Sequence, residues 1–155
     1  MLEIVEGDLL DQDVGVIVNA WNRNIIPWWL LIPHGVSGAI KRRGGYQPFR
    51  ELGRHGIMSL GEAVETGAGR LPFKAIIHVA GINMFWCPSE YSIRQSVKNA
   101  LALAQHRGFS SIAFPLIGAG VGSYPPEKVM EFMREEVANS GYGGEVRIVR
   151  YINKP

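Results

Sequence analysis

VGVIVNAWN (14–22) decides the architecture. Val16, Ile17 and Val18 follow one another with no polar alternation, the pattern of a strand covered on both faces, as in a parallel sheet. Working outward, KAIIHVA (74–80) and SIAFPLI (111–117) share that character, and LEIVE (2–6) reads as a fourth strand. VRIVRYI (146–152) alternates more and is expected nearer an edge. Between the strands, Ile93, Val97, Ala100, Leu101 and Ala104 fall at helical spacing, with Ser89 as N-cap and Gly108 as the stop. Val129, Phe132, Met133 and Val137 repeat the pattern after Pro125 and Pro126, with Gly141 closing that helix. GVSGAIKRR (35–43) and PFRELGR (48–54) read as weaker helices. Strands alternating with helices predict a three-layer α/β domain, and the lack of repeat, linker or low-complexity tract predicts a single domain over 1–155.

Composition narrows the function classes. The chain has 155 residues, 46% hydrophobic and 19% charged, an ordinary globular balance. A net charge of +2 is too small to announce nucleic acid, although a pI near 8.8 permits an anionic ligand. A lone cysteine, Cys87, fits a reducing compartment. IIPWWLLIP (25–33) is too short to cross a bilayer, and MLEIVEGDLL carries acids where a signal peptide needs bases. The expected location is cytoplasmic, with no membrane association.

In open α/β sheets, ligands bind beyond the carboxyl ends of the strands. The 14–22 strand delivers Asn19 and Asn22 to such an end. FPLIGAGVGSYPP (114–126) opens another strand into Gly118, Gly120 and Gly122 before a proline-started helix. Glycines there allow close backbone approach, so amides can surround a phosphate. The spacing is not GxGxxG, and no Walker lysine follows. Asp8 stands after the first strand, where it serves either as a turn cap or as an acceptor for an adenine amino group.

Together these segments resemble one family. G-D-L at 7–9, V-I-V-N-A-x-N at 16–22, G-V-x-G-A-I at 35–40, G-E-A at 61–63, I-I-H-V-A-G at 76–81 and F-P-x-I-G-A-G-V-G-x-Y-P at 114–125 look like a macro domain, in the family's order. The resemblance implies an α/β/α fold, a mixed six-stranded sheet between helices, and a cleft for ADP-ribose that needs no metal or cofactor. It places Asp8 on the adenine amino group and the Leu9 backbone beside the ring. Asn22 would face the distal ribose. Gly35, Val36 and Ser37 would form the first phosphate-side loop. Gly118, Ala119, Gly120, Val121, Gly122 and Ser123 would wrap the diphosphate, with Tyr124 on the adenosine side. His78 is expected to be structural, and Glu62 to pack or cap.

Two departures matter. Hydrolytic members often carry Val-Asp-Gly, whose aspartate orients the attacking water, whereas this chain has Val36-Ser37-Gly38. His34, with an unperturbed pKa of about 6.5, stands where a proton acceptor would be useful, so Asn22 and His34 are the catalytic candidates. The segment between Asn22 and Gly35 is also longer than the family's and filled with apolar residues. It either walls the distal ribose with Trp28 or Trp29, packs on the core, or forms a dimer contact. Trp21 is expected in the core. Lys41, Arg42, Arg43, Arg50, Arg54 and His55 give a basic face, expected to be solvated helix surface.

The leading expectation is an enzyme that releases ADP-ribose from a modified protein or nucleic acid base, or deacylates an acyl-ADP-ribose. Its alternative is a non-catalytic ADP-ribose-recognition module. Ser37 favours the module; His34 and a chain with no second module favour the enzyme. A plain RNA-binding role ranks below both, so nucleic acid enters only as a modified substrate.

Overall fold

The computed structural model describes residues 1–31, 35–82, 88–118 and 124–152. Six strands form one sheet: β1 (Leu2–Gly7), β2 (Val16–Trp21), β3 (Ala63–Thr66), β4 (Ala75–Ala80), β5 (Ser111–Pro115) and β6 (Glu145–Tyr151). Their spatial order is β1-β6-β5-β2-β4-β3, with all neighbours parallel except the antiparallel β3–β4 pair. This is the expected mixed six-stranded sheet.

Helices α1 (Gly35–Gly44) and α2 (Gln47–His55) cover one face, and α3 (Glu90–Arg107) and α4 (Pro126–Asn139) the other. The period-2 alternation of β2 sorts its side chains. Val16 and Val18 join Val97, Leu101 and Met133 in one core, while Ile17 and Trp21 join Ile40, Phe49 and Leu52 in the second. Asn19 and, on β4, His78 therefore point into the layer under α1 and α2. Trp21 is core, as expected.

The long helix α3 starts and stops where its sequence says. The Ser89 hydroxyl accepts from Ser92 N at 3.0 Å, the Ser92 hydroxyl accepts from Ser89 N at 2.8 Å, and Gly108 closes the helix at φ 74°.

β6 lies next to the edge, between β5 and the edge strand β1, as its pattern predicts. Its alternating pattern reflects a strand whose last residues, Arg150 and Tyr151, run out of the core. The sixth strand, Ala63–Thr66, was not legible from its residues because it is four residues long and half-buried. Among the described residues, no helix is long and apolar enough to cross a membrane.

Candidate functional site

Because β1, β6, β5, β2 and β4 run parallel, their carboxyl ends share one edge of the sheet. A cleft of about 680 Å³ opens there, lined among others by Asp8, Asn22, Gly35, Ser37, Gly118 and Tyr151. Residues from five chain segments thus converge on one space.

Asp8 caps the one-turn 3-10 helix Leu9–Asp11: its Oδ1 accepts from Leu10 N at 2.9 Å. Its Oδ2 lies 3.8 Å from the Arg43 guanidinium, which also donates to Asp11 at 3.0 Å. The cap is real, and Asp8 lines the cleft as well.

Asn22, 4% exposed, accepts from Asn24 N at 2.6 Å through Oδ1. Its Nδ2 is buried and has no hydrogen-bond partner among the described residues. An unmet buried donor costs about 1–3 kcal/mol, so this group is set up to be met by something else. Beside it, α1 begins at Gly35 (φ 60°), and the amides of its first turn have no acceptor inside the helix.

Ser37 feeds a buried relay. Its hydroxyl donates to Asn19 Oδ1 at 2.9 Å, and Asn19 Nδ2 donates to His78 Nδ1 at 3.1 Å. Neutral His78 then carries its proton on Nε2 and meets the Thr66 hydroxyl at 2.8 Å, which donates onward to Gly67 O at 3.0 Å. Phe49 packs edge-on against the His78 ring at 5.6 Å. Burial pulls the His78 pKa from 6.5 down to about 3.

That shift has a definite sign. Between about pH 3 and 6.5 the unfolded chain binds a proton that the folded chain refuses, so stability rises with pH across this window and is lost as pH falls through it. The expected contribution is up to about 1.4 kcal/mol per pH unit. In urea unfolding at about pH 5 and about pH 7, His78→Gln should show a correspondingly smaller acid loss than wild type. An unchanged acid loss would assign it to other groups.

Lys41, one turn after Ser37, departs from expectation. It is only 5% exposed, lies 4.8 Å above the Phe49 ring and 5.3 Å above Trp21, and donates to Trp28 O at 3.1 Å. Burial lowers its pKa. Of the expected basic face, Lys41 is therefore interior, Arg43 is paired with Asp11, and His55 meets Glu62 at 2.7 Å. Arg42, Arg50 and Arg54 remain exposed.

Comparison with known proteins decides the family. The Macro domain family model matches residues 18–133. The chain belongs to that family. The O-acetyl-ADP-ribose deacetylase of Escherichia fergusonii is 34% identical over 146 residues, covering 89% of this chain and 78% of that one. An uncharacterised protein of Aquifex aeolicus is 36% identical over 137 residues, covering 88% and 80%. Among solved structures, a mutant Oceanobacillus iheyensis macrodomain with ADPR superposes with a TM-score of 0.83 at 30% identity, covering 96% of this chain and 84% of that one.

Within the macro domain, Asp8, Leu9, Asn22, Gly35, Val36, Ser37 and Gly118 all line the cleft. Tyr124 is not among its lining residues; it packs edge-on against Phe132 at 5.4 Å. Trp28 and Trp29 do not line it either. Leu31 does, as the representative of the described apolar loop, while the two indoles border a separate groove. His34, Ala119, Gly120, Val121, Gly122 and Ser123 lie outside the described residues. Glu62 caps as expected, accepting from Ser59 N at 2.8 Å.

Among the lining residues that escaped the sequence reading are the polar Lys41, Arg42, Arg43 and Tyr151. Tyr151 reaches the cleft because β6 runs parallel to β1 with Tyr151 opposite Gly7, next to Asp8. No local pattern announces that pairing. Lys41 was legible in principle, since it follows Ser37 by four on α1 and so shares its face.

Proposed function

We propose that this macro domain binds ADP-ribose in the cleft and hydrolyses a conjugate at the distal ribose, releasing ADP-ribose from a modified target or deacylating an acyl-ADP-ribose. The observation that carries the proposal is the buried Nδ2 of Asn22, unpartnered among the described residues, beside the first turn of α1. A ribose oxygen would complete that donor, and the first-turn amides suit phosphate oxygens. The deacetylase relative and the ADPR-bearing neighbour support the same ligand.

Adenine would lie at the β1 end, where Asp8 keeps Oδ2 as an acceptor while Oδ1 caps Leu10. Asp8→Ala should weaken ADP-ribose more than ribose 5-phosphate, which has no adenine. Calorimetry that finds equal losses for both would leave Asp8 only its cap.

Hydrolysis needs an activated water. Ser37 has already directed its proton at Asn19 and is a weak base, so proton removal falls to another group. His34 is the sequence-based candidate. General-base help contributes roughly 10²–10⁴-fold. The wild-type rate should rise through about pH 6.5, and His34→Ala should flatten that rise. Incubation with ADP-ribosylated proteins, ADP-ribosylated nucleic acid and acyl-ADP-ribose, followed by assay of released ADP-ribose, tests the enzyme. Ser37 favours a second reading, a recognition module. It is supported if ADP-ribose binds and none of the panel is cleaved.

A further inference from the structure

A second groove of about 520 Å³ lies outside the ADP-ribose cleft, bordered by Ile25, Trp28, Trp29, Arg50, Gly53 and Arg54. Its two walls differ in chemistry. One is the one-turn 3-10 helix Trp28–Leu30; the other is the outer face of α2.

The apolar wall is held from behind. Trp28 stacks on Tyr46 at 5.5 Å and 30°, and its backbone oxygen is fixed by Lys41. Gly53 of α2 faces the Trp28 ring, and a Cβ there would touch it at 3.4 Å, an ordinary contact. Asn24, at φ 61°, joins the walls by donating to Leu52 O and Gly56 O, both at 2.9 Å, while accepting from Trp21 Nε1 at 3.2 Å. With Trp28 so anchored, its neighbour Trp29 is left 67% exposed. An indole displayed on a braced turn is not explained by packing.

The other wall is cationic. Arg50 and Arg54 are one helical turn apart, about 6 Å along the axis. Neither makes an ion pair or hydrogen bond among the described residues, although most of the chain's other arginines do. Glu51, the acid between them, points away and accepts from Gly67 N at 2.7 Å. The groove therefore offers one open aromatic face and two uncompensated guanidinium groups. An acidic peptide would use the charges but leave the indole idle. A single-stranded nucleic acid uses both, with a base on Trp29 and successive phosphates on Arg50 and Arg54.

We propose that this groove binds a short stretch of single-stranded nucleic acid, independently of ADP-ribose recognition. The groove and the cleft are neighbours in the fold, since Asn24 on the groove donates its backbone N–H to Asn22 on the cleft.

The test is fluorescence anisotropy of a labelled oligothymidylate of about ten nucleotides at low salt, with ADP-ribose affinity and thermal unfolding measured on the same proteins. Wild type should bind, and binding should quench tryptophan fluorescence. Trp29→Ala should weaken it about tenfold to a hundredfold, the worth of one stacked base, with melting unchanged. Arg50→Gln with Arg54→Gln should flatten the slope of log affinity against log salt by about 1.4, the share of two phosphates. ADP-ribose affinity should stay at the wild-type value in all of these variants. The proposal is overturned if wild type does not bind the oligonucleotide, if Trp29→Ala binds as wild type does, or if a poly-glutamate peptide competes as well as the unlabelled strand. Loss of ADP-ribose binding in wild type would instead remove the cleft assignment and leave the groove standing.

Discussion

Asn22→Ala should lower turnover of a cleaved substrate by about a hundredfold or more and leave stability close to wild type. The two halves of this expectation come from opposite ends of one side chain. Oδ1 accepts from Asn24 N at 2.6 Å, and losing that bond costs about 1 kcal/mol. Nδ2 is a buried donor without a partner among the described residues, and removing it recovers a penalty of about 1–3 kcal/mol. Folding therefore changes little in either direction. In the complex the same Nδ2 would position the distal ribose, and a misplacement of about 1 Å at a reacting centre costs about 10²-fold. Chemical unfolding and single-turnover rates on the same preparation separate the effects. A variant with full activity would show that Asn22 does not hold the ribose, and a variant that barely folds would make its role structural.

Gly118→Ala should destabilise the protein by roughly 2–5 kcal/mol and weaken ADP-ribose binding with it. The residue has φ 77°, where an alanine costs about 1–2 kcal/mol. A Cβ would also lie 2.6 Å from Pro88 Cβ and 2.9 Å from Cγ. Pro88 precedes the Ser89 cap of α3, so it can yield only by shifting that helix start, a strain of about 1–3 kcal/mol. Gly118 follows the end of β5 at the cleft wall, so the displacement is transmitted to the site. Pro88→Gly removes both obstructing carbons and should recover part of the loss in the double variant. Additive losses in that cycle would place the strain elsewhere.

How much of this was legible varies with the kind of signal. Buried strands such as Val16–Trp21 and the capped helix from Glu90 to Arg107 declare themselves, because burial on both faces and cap chemistry are local. The edge strand Ala63–Thr66 does not, since four half-buried residues fit many conformations. Asp8, Asn22, Ser37 and Gly118 were found by motif and do meet in one cleft. Tyr124 and the two loop indoles are not among the residues lining the cleft, and the reason they were not legible is shared. Position in a loop says which elements a residue connects, not which side of them it packs against. Lys41 looked like one charge in a solvated run, yet aromatic rings from two other segments and the Trp28 carbonyl enclose it. Those partners come from tertiary structure alone.

The buried relay under the cleft also gives the site a direction. Asn19, His78 and Thr66 each donate onward, ending at the Gly67 carbonyl, so turning the Ser37 proton toward a ligand would leave the buried Asn19 Oδ1 without its donor. The cleft consequently shows lone pairs at Ser37 and an N–H at Asn22. A group that fits both must give a hydrogen to one and take a hydrogen from the other. A free sugar hydroxyl can do so. Its O-methyl ether can only accept, and a carboxylate meets like lone pairs at Ser37. With ADP-ribose bound as proposed, the relay would make the cleft a polarity filter written into atoms that no ligand touches, and capping the facing hydroxyl with a methyl group would close it without changing the shape of the rest of the molecule.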